Sequence, residues 1–472
     1  MKSPKDYFST PEHFLPAINV GGLFDLQNCH VVDGSRGERI FNGGLTFSTG
    51  VAGRQNSYKS TLARYFAHTA MTRYMPEFRY TFYDTEGHAT IERDINLAKH
   101  IDGLQDFDFY NDDRYLFTKL AFEPGEKFYS KLIAMFRDKT SKENIAAHTL
   151  TCPMVDPKTG ENYKIIAPDF VIIDTATRFT TSASDELMAK NEIGDGKLNA
   201  GNFRSGNDRN WLFQTVNNYL LRHGGYLITP AHIGQEFKIE TYAPTQKQLR
   251  DIKNGFKLKG VPESYTTLTT DVWYIIDGYP AINKTTNAPQ YPRNATENQM
   301  ENSKDLYELI IINLRGKNGM SGFPFKILVS QEEGILPSLS EYNFLKEDNG
   351  WGMNGSCNGH HNLILCPDIK LQRTTVRSKI DESYVLRRAL QITSELRQID
   401  RYWILYDRDL WCPPDVLFED LKKLGYDWDE LLGNTRGFWC PLELEKFHPT
   451  HYLSTEDLLR MRKGLYKPYW MQ

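Results

Sequence analysis

A lysine, a serine and a threonine follow one another between an apolar run and a helical pattern. The segment reads GVAGRQNSYKSTLARYF over residues 50–66. A Gly-x4-Gly-Lys-Ser/Thr loop between a strand and a helix binds phosphate groups, because its backbone N–H groups form a concave anion site. Tyr58 stands where this pattern has its second glycine. The predicted phosphate loop consists of Gly53, Arg54, Gln55, Asn56, Ser57, Tyr58, Lys59, Ser60 and Thr61.

A phosphate loop of this kind works with a metal-associated aspartate at the end of a neighbouring strand. In DFVIIDT, four apolar residues run into Asp174. An aspartate there can also be a simple turn or cap residue, but together with the loop it favours a metal ligand. We predict that Lys59 reaches the β- and γ-phosphates and that Ser60 and Asp174 hold Mg²⁺. The expected cofactors are ATP and Mg²⁺.

A second carboxylate pair follows another strand pattern. The segment FYDTEGHA contains Asp84 and Glu86 directly after an apolar run. Hydrolysis of a phosphoanhydride requires a group that accepts a proton from the attacking water, and a carboxylate at this sheet edge suits that role. We predict Glu86 as the general base. The alternative is that Glu86 only caps the next helix.

Strand-like and helix-like runs alternate from Leu45 to about Pro337. The predicted strands cover 45–50, 79–85, 106–111, 169–175, 225–231, 271–277, 306–314 and 325–330, and predicted helices cover 60–75 and 209–224. Continuous apolar runs are typical of strands covered on both faces. Their alternation with helices predicts an α/β fold with a mainly parallel, twisted sheet flanked by helices.

Composition divides the chain into three parts. Residues 1–43 are polar and are predicted to form an N-terminal arm that serves oligomerisation. Residues 44–338 form the predicted nucleotide-binding core. A Gly/Asn/Cys/His patch and three helical patterns then mark 339–472 as a smaller, mostly helical C-terminal region. Long loops are predicted at 139–168, 180–208 and 233–264, and a surface insertion at 280–303.

Composition also limits the classes of protein. The 472 residues carry a net charge of −4, so any nucleic-acid contact requires a local concentration of positive charge. Six cysteines are too few for a disulfide scaffold and indicate a reducing compartment. No run of eighteen apolar residues predicts a membrane span. We expect a cytoplasmic protein, in the host cytoplasm if its source is viral.

Two cysteines and two histidines lie close together in the C-terminal region. They are Cys357, His360, His361 and Cys366. Such residues can bind zinc. Their spacing matches no common zinc pattern, and reduced cysteines in a loop are the favoured interpretation.

In these motifs the chain resembles the RecA family, and most of all its phage UvsX-type branch. The stretches that carry the resemblance are FYDTEGHA (82–89), VIIDTATRF (171–179), NEIGDGKLNAGNFR (191–204), YLITPAHIG (226–234) and LRGKNGMSGFPF (314–325). UvsX-type proteins have an aromatic residue at the position of Tyr58. They also have a histidine as γ-phosphate sensor where RecA has a glutamine, which here is His232. The residue before it, Ala231, departs from the asparagine of the family.

The resemblance covers roughly 45–338 and implies a RecA-like core. It implies that Arg315 and Lys317 reach the ATP of a neighbouring subunit, so these two join Lys59, Glu86 and His232 as predicted catalytic residues. It also implies DNA-binding loops near 180–208 and 233–260. Their basic residues are Lys197, Arg204, Lys238, Lys247, Arg250, Lys253, Lys257 and Lys259.

The implied activity is that of an ATP-dependent recombinase. Such a protein forms helical filaments on single-stranded DNA, pairs it with homologous duplex DNA and promotes strand exchange in recombination and repair. The first alternative is a RecA-like replicative helicase, which assembles as a closed hexameric ring. The second is a non-catalytic RecA-like regulator or scaffold, against which the retained Lys59, Glu86 and Asp174 argue. In each active case we expect a homo-oligomer.

Overall fold

The computed structural model describes residues 13–119, 124–175, 179–190, 198–235, 256–259, 261–316, 322–356, 359–402 and 407–471. Its helices are α1 (Lys59–Tyr74), α2 (Ile91–Ala98), α3 (Gly125–Lys139), α4 (Ser182–Ala189), α5 (Leu198–His223), α6 (Glu263–Leu268), α7 (Pro337–Glu347), α8 (Val376–Glu382), α9 (Tyr384–Tyr402), α10 (Pro414–Lys423), α11 (Trp428–Gly433) and α12 (Thr455–Arg462). Within these ranges, no helix is long and apolar enough to cross a membrane.

Strands occur along most of the chain. They are β1 (His30–Asp33), β2 (Arg39–Asn42), β3 (Ser48–Gly53), β4 (Arg79–Asp84), β5 (Tyr115–Lys119), β6 (Thr149–Val155), β7 (Asn162–Ile166), β8 (Asp169–Asp174), β9 (Gly225–Gln235), β10 (Phe256–Lys259), β11 (Asp271–Pro280), β12 (Leu306–Gly316), β13 (Pro324–Ser330), β14 (Gly334–Ile335), β15 (Met353–Gly355), β16 (His361–Leu363), β17 (Cys366–Leu371), β18 (Thr435–Arg436) and β19 (His451–Tyr452).

One large mixed sheet organises the fold. Its strand order is β14-β13-β12-β11-β3-β9-β8-β4-β5, and β10 pairs with the far end of β9. Strands β11, β3, β9, β8, β4 and β5 run parallel to one another, whereas β12, β13, β14 and β10 are antiparallel to their neighbours. The predicted α/β class with a mainly parallel sheet is confirmed.

Helices cover both faces of the sheet, as the apolar strands predicted. In β8, Ile172 belongs to the core that α1 covers, whereas its neighbours Val171 and Ile173 belong to the core that α3 and α5 cover. In β3, Val51 and Ala52 divide between the two cores in the same way. Successive side chains of a strand point to opposite faces, so a strand that is apolar throughout requires a cover on each.

One predicted strand and two predicted loops are wrong. Residues 106–111 form turns, because Asp108 accepts hydrogen bonds from the N–H groups of Tyr110 and Asn111 at 3.0 and 3.1 Å. The edge strand is instead β5. Residues 139–168, predicted as a loop, contain the β6–β7 hairpin, whose alternating pattern was hidden by its polar outer face.

The described part of the predicted DNA loop at 180–208 is mostly helical. It contains α4 and the beginning of α5. Thr181 accepts a hydrogen bond from the N–H of Ser184, and both hydroxyls donate to Asp208 at 2.6 Å. These polar residues therefore cap α4 and join it to α5, although their composition resembles that of a loop.

The N-terminal and C-terminal parts share a core. Leu26 and Phe41 pack with Leu328 of β13 and with apolar residues of α7–α12. The predicted boundary at 338 falls within α7. The C-terminal part contains helices and also the small sheet β15-β16-β17. Residues 13–43 pack within the chain, and a role of the N-terminal arm in oligomerisation stays a prediction.

Candidate active site

The predicted phosphate loop joins two elements of the central sheet layer. Strand β3 ends at Gly53 and α1 begins at Lys59. The carbonyl of Arg54 accepts hydrogen bonds from Ser57 Oγ, at 2.7 Å, and from Lys59 Nζ. A Cβ atom at residue 53 would lie 2.4 Å from Ser57 Oγ, so any larger residue would displace the Ser57 hydroxyl. The loop is closed around the lysine that is predicted to bind phosphate.

Tyr58 has the backbone conformation for which the pattern otherwise uses glycine. Its φ and ψ are 62° and 20°, and Asn56 also has a positive φ of 57°. The Tyr58 ring packs against the Tyr307 ring of β12, with centroids 5.4 Å apart. The aromatic contact thus fixes a residue whose left-handed conformation is unfavourable for a side chain.

The structure brings the two predicted metal ligands together. Ser60 Oγ donates a hydrogen bond to Asp174 Oδ1 at 3.0 Å. Asp174 ends β8, and its register partner on β4 is Asp84. A hydroxyl and a carboxylate in contact provide the oxygen ligands that Mg²⁺ prefers. The pair therefore fits the metal that the phosphate loop implies.

Burial controls the charges at this site. It lowers the pKa of Lys59 to about 8, while the carboxylates of Asp174 and Glu86 act in the opposite direction. Burial raises the pKa of Asp174, whereas the Arg64 guanidinium and the Ser60 hydroxyl lower it. A cation brought to Asp174 would favour its ionised form, and phosphate brought to Lys59 would favour its protonated form.

Glu86 and His232 lie side by side at the same edge of the sheet. Glu86 Oε1 is 3.3 Å from His232 Nε2 and 3.4 Å from Thr175 Oγ1. In the pairing of β3 with β9, His232 is opposite Gly53, the first residue of the phosphate loop. The Glu86 and His232 side chains are 30% and 26% exposed. A water molecule can reach this pair beside the phosphate loop.

Asp84 has a structural role. Its Oδ1 accepts hydrogen bonds from the N–H groups of Glu86 and Gly87 at 2.9 and 2.8 Å, and its Oδ2 accepts one from the N–H of Ala89 at 3.0 Å. It thereby shapes the turn that presents Glu86. Both carboxylates were candidates from the sequence, and the structure shows that their contacts differ.

Sequence reasoning missed a buried group beneath the site. The Arg64 guanidinium of α1 donates to Asp94 Oδ1 at 2.8 Å and lies 4.2 Å from the Phe82 ring centroid. Its charge is the main influence that lowers the pKa of Asp174, against the effect of burial. A single arginine within a helical pattern gives no signal of such a role, because most helical arginines point to solvent.

The structure places Arg315 away from the phosphate loop of its own chain. Because β12 is antiparallel, Arg315 pairs with Val272, which in turn pairs with Gly50 in the first half of β3. Its guanidinium donates to the carbonyl of Thr266 and, at 2.7 Å, to that of Thr267. Lys317, the other predicted cation of this pair, lies outside the described residues.

Most predicted DNA-binding side chains also lie outside the described part of the structure. Residues 191–197, 236–255 and 260 are not described, and of Arg204, Lys257 and Lys259 only the backbone is. The predicted segment begins at residue 233, directly after His232, and its first three residues are the last residues of β9. Its role in DNA binding stays a prediction. The residues concerned are Lys197, Arg204, Lys238, Lys247, Arg250, Lys253, Lys257 and Lys259.

The described part of the Cys/His patch has other partners. His361 Nε2 is 2.7 Å from the Tyr342 hydroxyl, and His361 Nδ1 is 3.2 Å from the Gly359 carbonyl oxygen. Cys366 is buried in β17, and Cys357 lies outside the described residues. Among the described side chains, no group of three or more His, Cys, Asp and Glu could hold a metal ion.

Comparison with models of known protein families and with curated protein sequences gives no match.

Proposed function

We propose that this protein binds and hydrolyses ATP with a RecA-like core, and that it acts as a recombinase on single-stranded DNA. The observation that carries the ATPase proposal is the contact between Ser60 Oγ and Asp174 Oδ1 at 3.0 Å, next to Lys59. Residues 114 positions apart in the chain meet there, in the arrangement that a magnesium–nucleotide complex requires.

Each side chain at the sheet edge has a distinct task in this proposal. Lys59 exchanges its bond to the Arg54 carbonyl for bonds to the phosphates. Ser60 and Asp174 would hold Mg²⁺, which supplies positive charge to the phosphate oxygens. Glu86 accepts the proton of the attacking water, and His232 holds the Glu86 carboxylate in place.

His232 is also the point at which nucleotide state would reach DNA. It contacts Glu86 and is three residues from the end of β9. The basic segment predicted to bind DNA follows directly. A change at the γ-phosphate that moves His232 would therefore move the beginning of this segment. The DNA part of the proposal is supported by this continuity and by the resemblance to UvsX-type proteins.

Electron microscopy of the protein with ATP and single-stranded DNA tests the proposal. Helical filaments on DNA and DNA-stimulated ATP hydrolysis are the expected results. Closed rings would instead favour the helicase alternative, and ATP binding without hydrolysis or assembly would favour the regulator.

Replacing Lys253, Lys257 and Lys259 with Ala is expected to weaken DNA binding. The slope of the logarithm of the binding constant against the logarithm of the salt concentration should become less steep by about 0.7 for each lost phosphate contact. An unchanged slope would remove this segment from the DNA interface.

A further inference from the structure

A buried carboxylate near the beginning of α2 joins this helix to two other elements of the core. Asp94 is fully buried, and its Oδ1 accepts a hydrogen bond from Arg64 Nε of α1 at 2.8 Å. Its Oδ2 accepts one from the Tyr115 hydroxyl of β5, also at 2.8 Å. His68 Nε2 of α1 lies 3.3 Å from Asp94 Oδ1. Hydrogen bonds to an ionised group are stronger than neutral ones, so Asp94 fixes α2 against α1 and β5.

The segment that carries Glu86 is held at its two ends. At the first end, Asp84 accepts hydrogen bonds from three N–H groups of the turn. Residues 86–93 are all described, and each is partly or fully exposed. Their apolar side chains pack only partly against the core. Asp94 is the next buried residue, so its carboxylate is the second point at which this segment is fixed.

The partner of Asp94 lies beneath the predicted metal ligands. Ser60 and Arg64 are four residues apart on α1 and therefore lie on the same side of that helix. The Arg64 guanidinium carbon is 4.2 Å from the Phe82 ring centroid. On β4, Phe82 precedes the register partner of Asp174 by two residues, so both point to the same face of the sheet. The contact between Asp94 and Arg64 thus connects α1, which begins in the phosphate loop, with the segment that carries the predicted general base.

We propose that Asp94 is a positioning residue for ATP hydrolysis. Through Arg64 it keeps α1, and with it Lys59 and Ser60, at a fixed distance from the segment that carries Glu86. A general base must lie within hydrogen-bond distance of the water that it activates, and a displacement of about 1 Å can slow catalysis about 10²-fold. The inference rests on the proposed function, because it assigns Asp94 a task in the hydrolysis step and none in nucleotide binding.

Asp94→Asn tests this role, because an amide oxygen remains as an acceptor but cannot serve both donors. We expect turnover at saturating ATP to fall at least about 10-fold, while the dissociation constant of ATP stays the same. Asp169→Asn is the matched control. Asp169 is equally buried and accepts hydrogen bonds from Arg79 and Lys139, but it begins β8, at the end opposite the candidate active site. This control should lower the free energy of unfolding without slowing turnover.

Hydrogen exchange of the nucleotide-free protein gives a readout that requires no activity. We expect the amide groups of Glu86, Gly87 and Ala89 to exchange at least about 10-fold faster in Asp94→Asn, because the loss of one fixed point allows the segment to open locally. In Asp169→Asn the same amide groups should exchange at the wild-type rate.

Faster exchange together with slower turnover at unchanged ATP affinity supports the role of Asp94, and any other result overturns it. If Asp94→Asn does not fold, Tyr115→Phe removes one hydrogen bond to Asp94 and keeps the ring. Its control is Tyr291→Phe, because the buried Tyr291 hydroxyl donates to Asn343 Oδ1 at 2.7 Å. Equal turnover of these two variants would then overturn the role.

Failure of the proposed function is distinguishable from failure of this inference. A wild-type protein that does not hydrolyse ATP would contradict the proposed function itself. An active wild type whose turnover and exchange are insensitive to Asp94→Asn would contradict only the role of Asp94.

Discussion

Two carboxylates that are two residues apart illustrate how the site depends on individual side chains. Asp84 accepts three backbone hydrogen bonds and shapes a turn, whereas Glu86 contacts His232 and Thr175 beside the phosphate loop. The side chains are chemically almost identical. Their different environments predict different consequences of the same kind of substitution.

Glu86→Gln is expected to preserve ATP binding and to slow hydrolysis by about 10²-fold or more, because an amide cannot accept the proton of water. It should not change the free energy of unfolding. Asp84→Asn, the matched control, should lower that free energy by about 1–3 kcal/mol, because backbone donors lose a charged acceptor. Nucleotide affinity, turnover and urea unfolding of both variants check this. If Glu86→Gln weakened binding and turnover equally, Glu86 would be structural.

Asp25 gives the protein a pH dependence of stability. Its carboxylate is buried and accepts hydrogen bonds from the N–H groups of Val20 and Gly21 at 2.7 and 3.0 Å. Burial raises its pKa from 3.8 to about 7, although these hydrogen bonds act in the opposite direction. Between these pH values the folded protein holds a proton that the unfolded chain releases.

We therefore expect the contribution of Asp25 to stability to be fully present below about pH 4 and to be lost as the pH rises to about 7. Urea unfolding from pH 4 to 8 measures it. The difference in unfolding free energy between the wild type and Asp25→Asn should shift in favour of the variant across this range. Asp113→Asn, at an exposed carboxylate, should show no such trend. A constant difference for Asp25→Asn would contradict the prediction.

At the scale of elements, the β3–loop–α1 unit depends on the left-handed conformation of Tyr58. A side chain in this conformation is unfavourable by about 1–2 kcal/mol, and here the contact with Tyr307 offsets that cost. Because β12 supplies Tyr307, the shape of the loop is tied to the antiparallel part of the sheet.

Tyr58→Ala is expected to be less stable than Tyr58→Gly by about 1 kcal/mol, because both lose the ring but only glycine relieves the backbone conformation. At Thr61, inside α1, the order should reverse, with glycine less stable than alanine by about 1 kcal/mol. Denaturant unfolding of the four variants gives both differences. The same order at both positions would show that residue 58 does not have a left-handed conformation in solution.

At the scale of the whole molecule, Arg315 and the phosphate loop occupy different ends of the sheet. Arg315 is level with Gly50 through the pairing of β12, β11 and β3, and its guanidinium contacts the carbonyls that end α6. A cation in this position serves hydrolysis if a second subunit docks its phosphate loop there. Assembly and hydrolysis are then coupled, and the coupling acts in both directions.

Mixing two inactive proteins tests this arrangement. One carries Lys59→Ala and the other carries Ala at Arg315 and Lys317. With equal amounts, roughly one interface in four pairs an intact phosphate loop with intact cations, so partial ATPase activity should return. A mixture that contains chains with both sets of substitutions, at Lys59 and at Arg315 and Lys317, is the negative control. No recovery in mixtures that co-assemble would favour a role for Arg315 within one subunit.

Several features could be predicted from short stretches of sequence. The strand–loop–helix order around Lys59 and the apolar run into Asp174 each depend on neighbouring residues, so their local patterns sufficed. Predictions failed where polar residues formed regular structure, as in the β6–β7 hairpin and α4. There, side chains from elsewhere, such as Asp208, complete the hydrogen bonds of the element.

The sequence by itself thus determined the α/β class and pointed to the candidate phosphate loop and the candidate metal ligands, because these follow from periodicity and from residue order within one or two elements. Only the tertiary structure decided which strands are neighbours. Placing β9 between β3 and β8 brings His232 to Glu86 across 146 positions of the chain. The tertiary structure also places the guanidinium groups of Arg73 and Arg436 beside the same aromatic ring, that of Phe438. Such contacts depend on the packing of the whole chain, which no local pattern records.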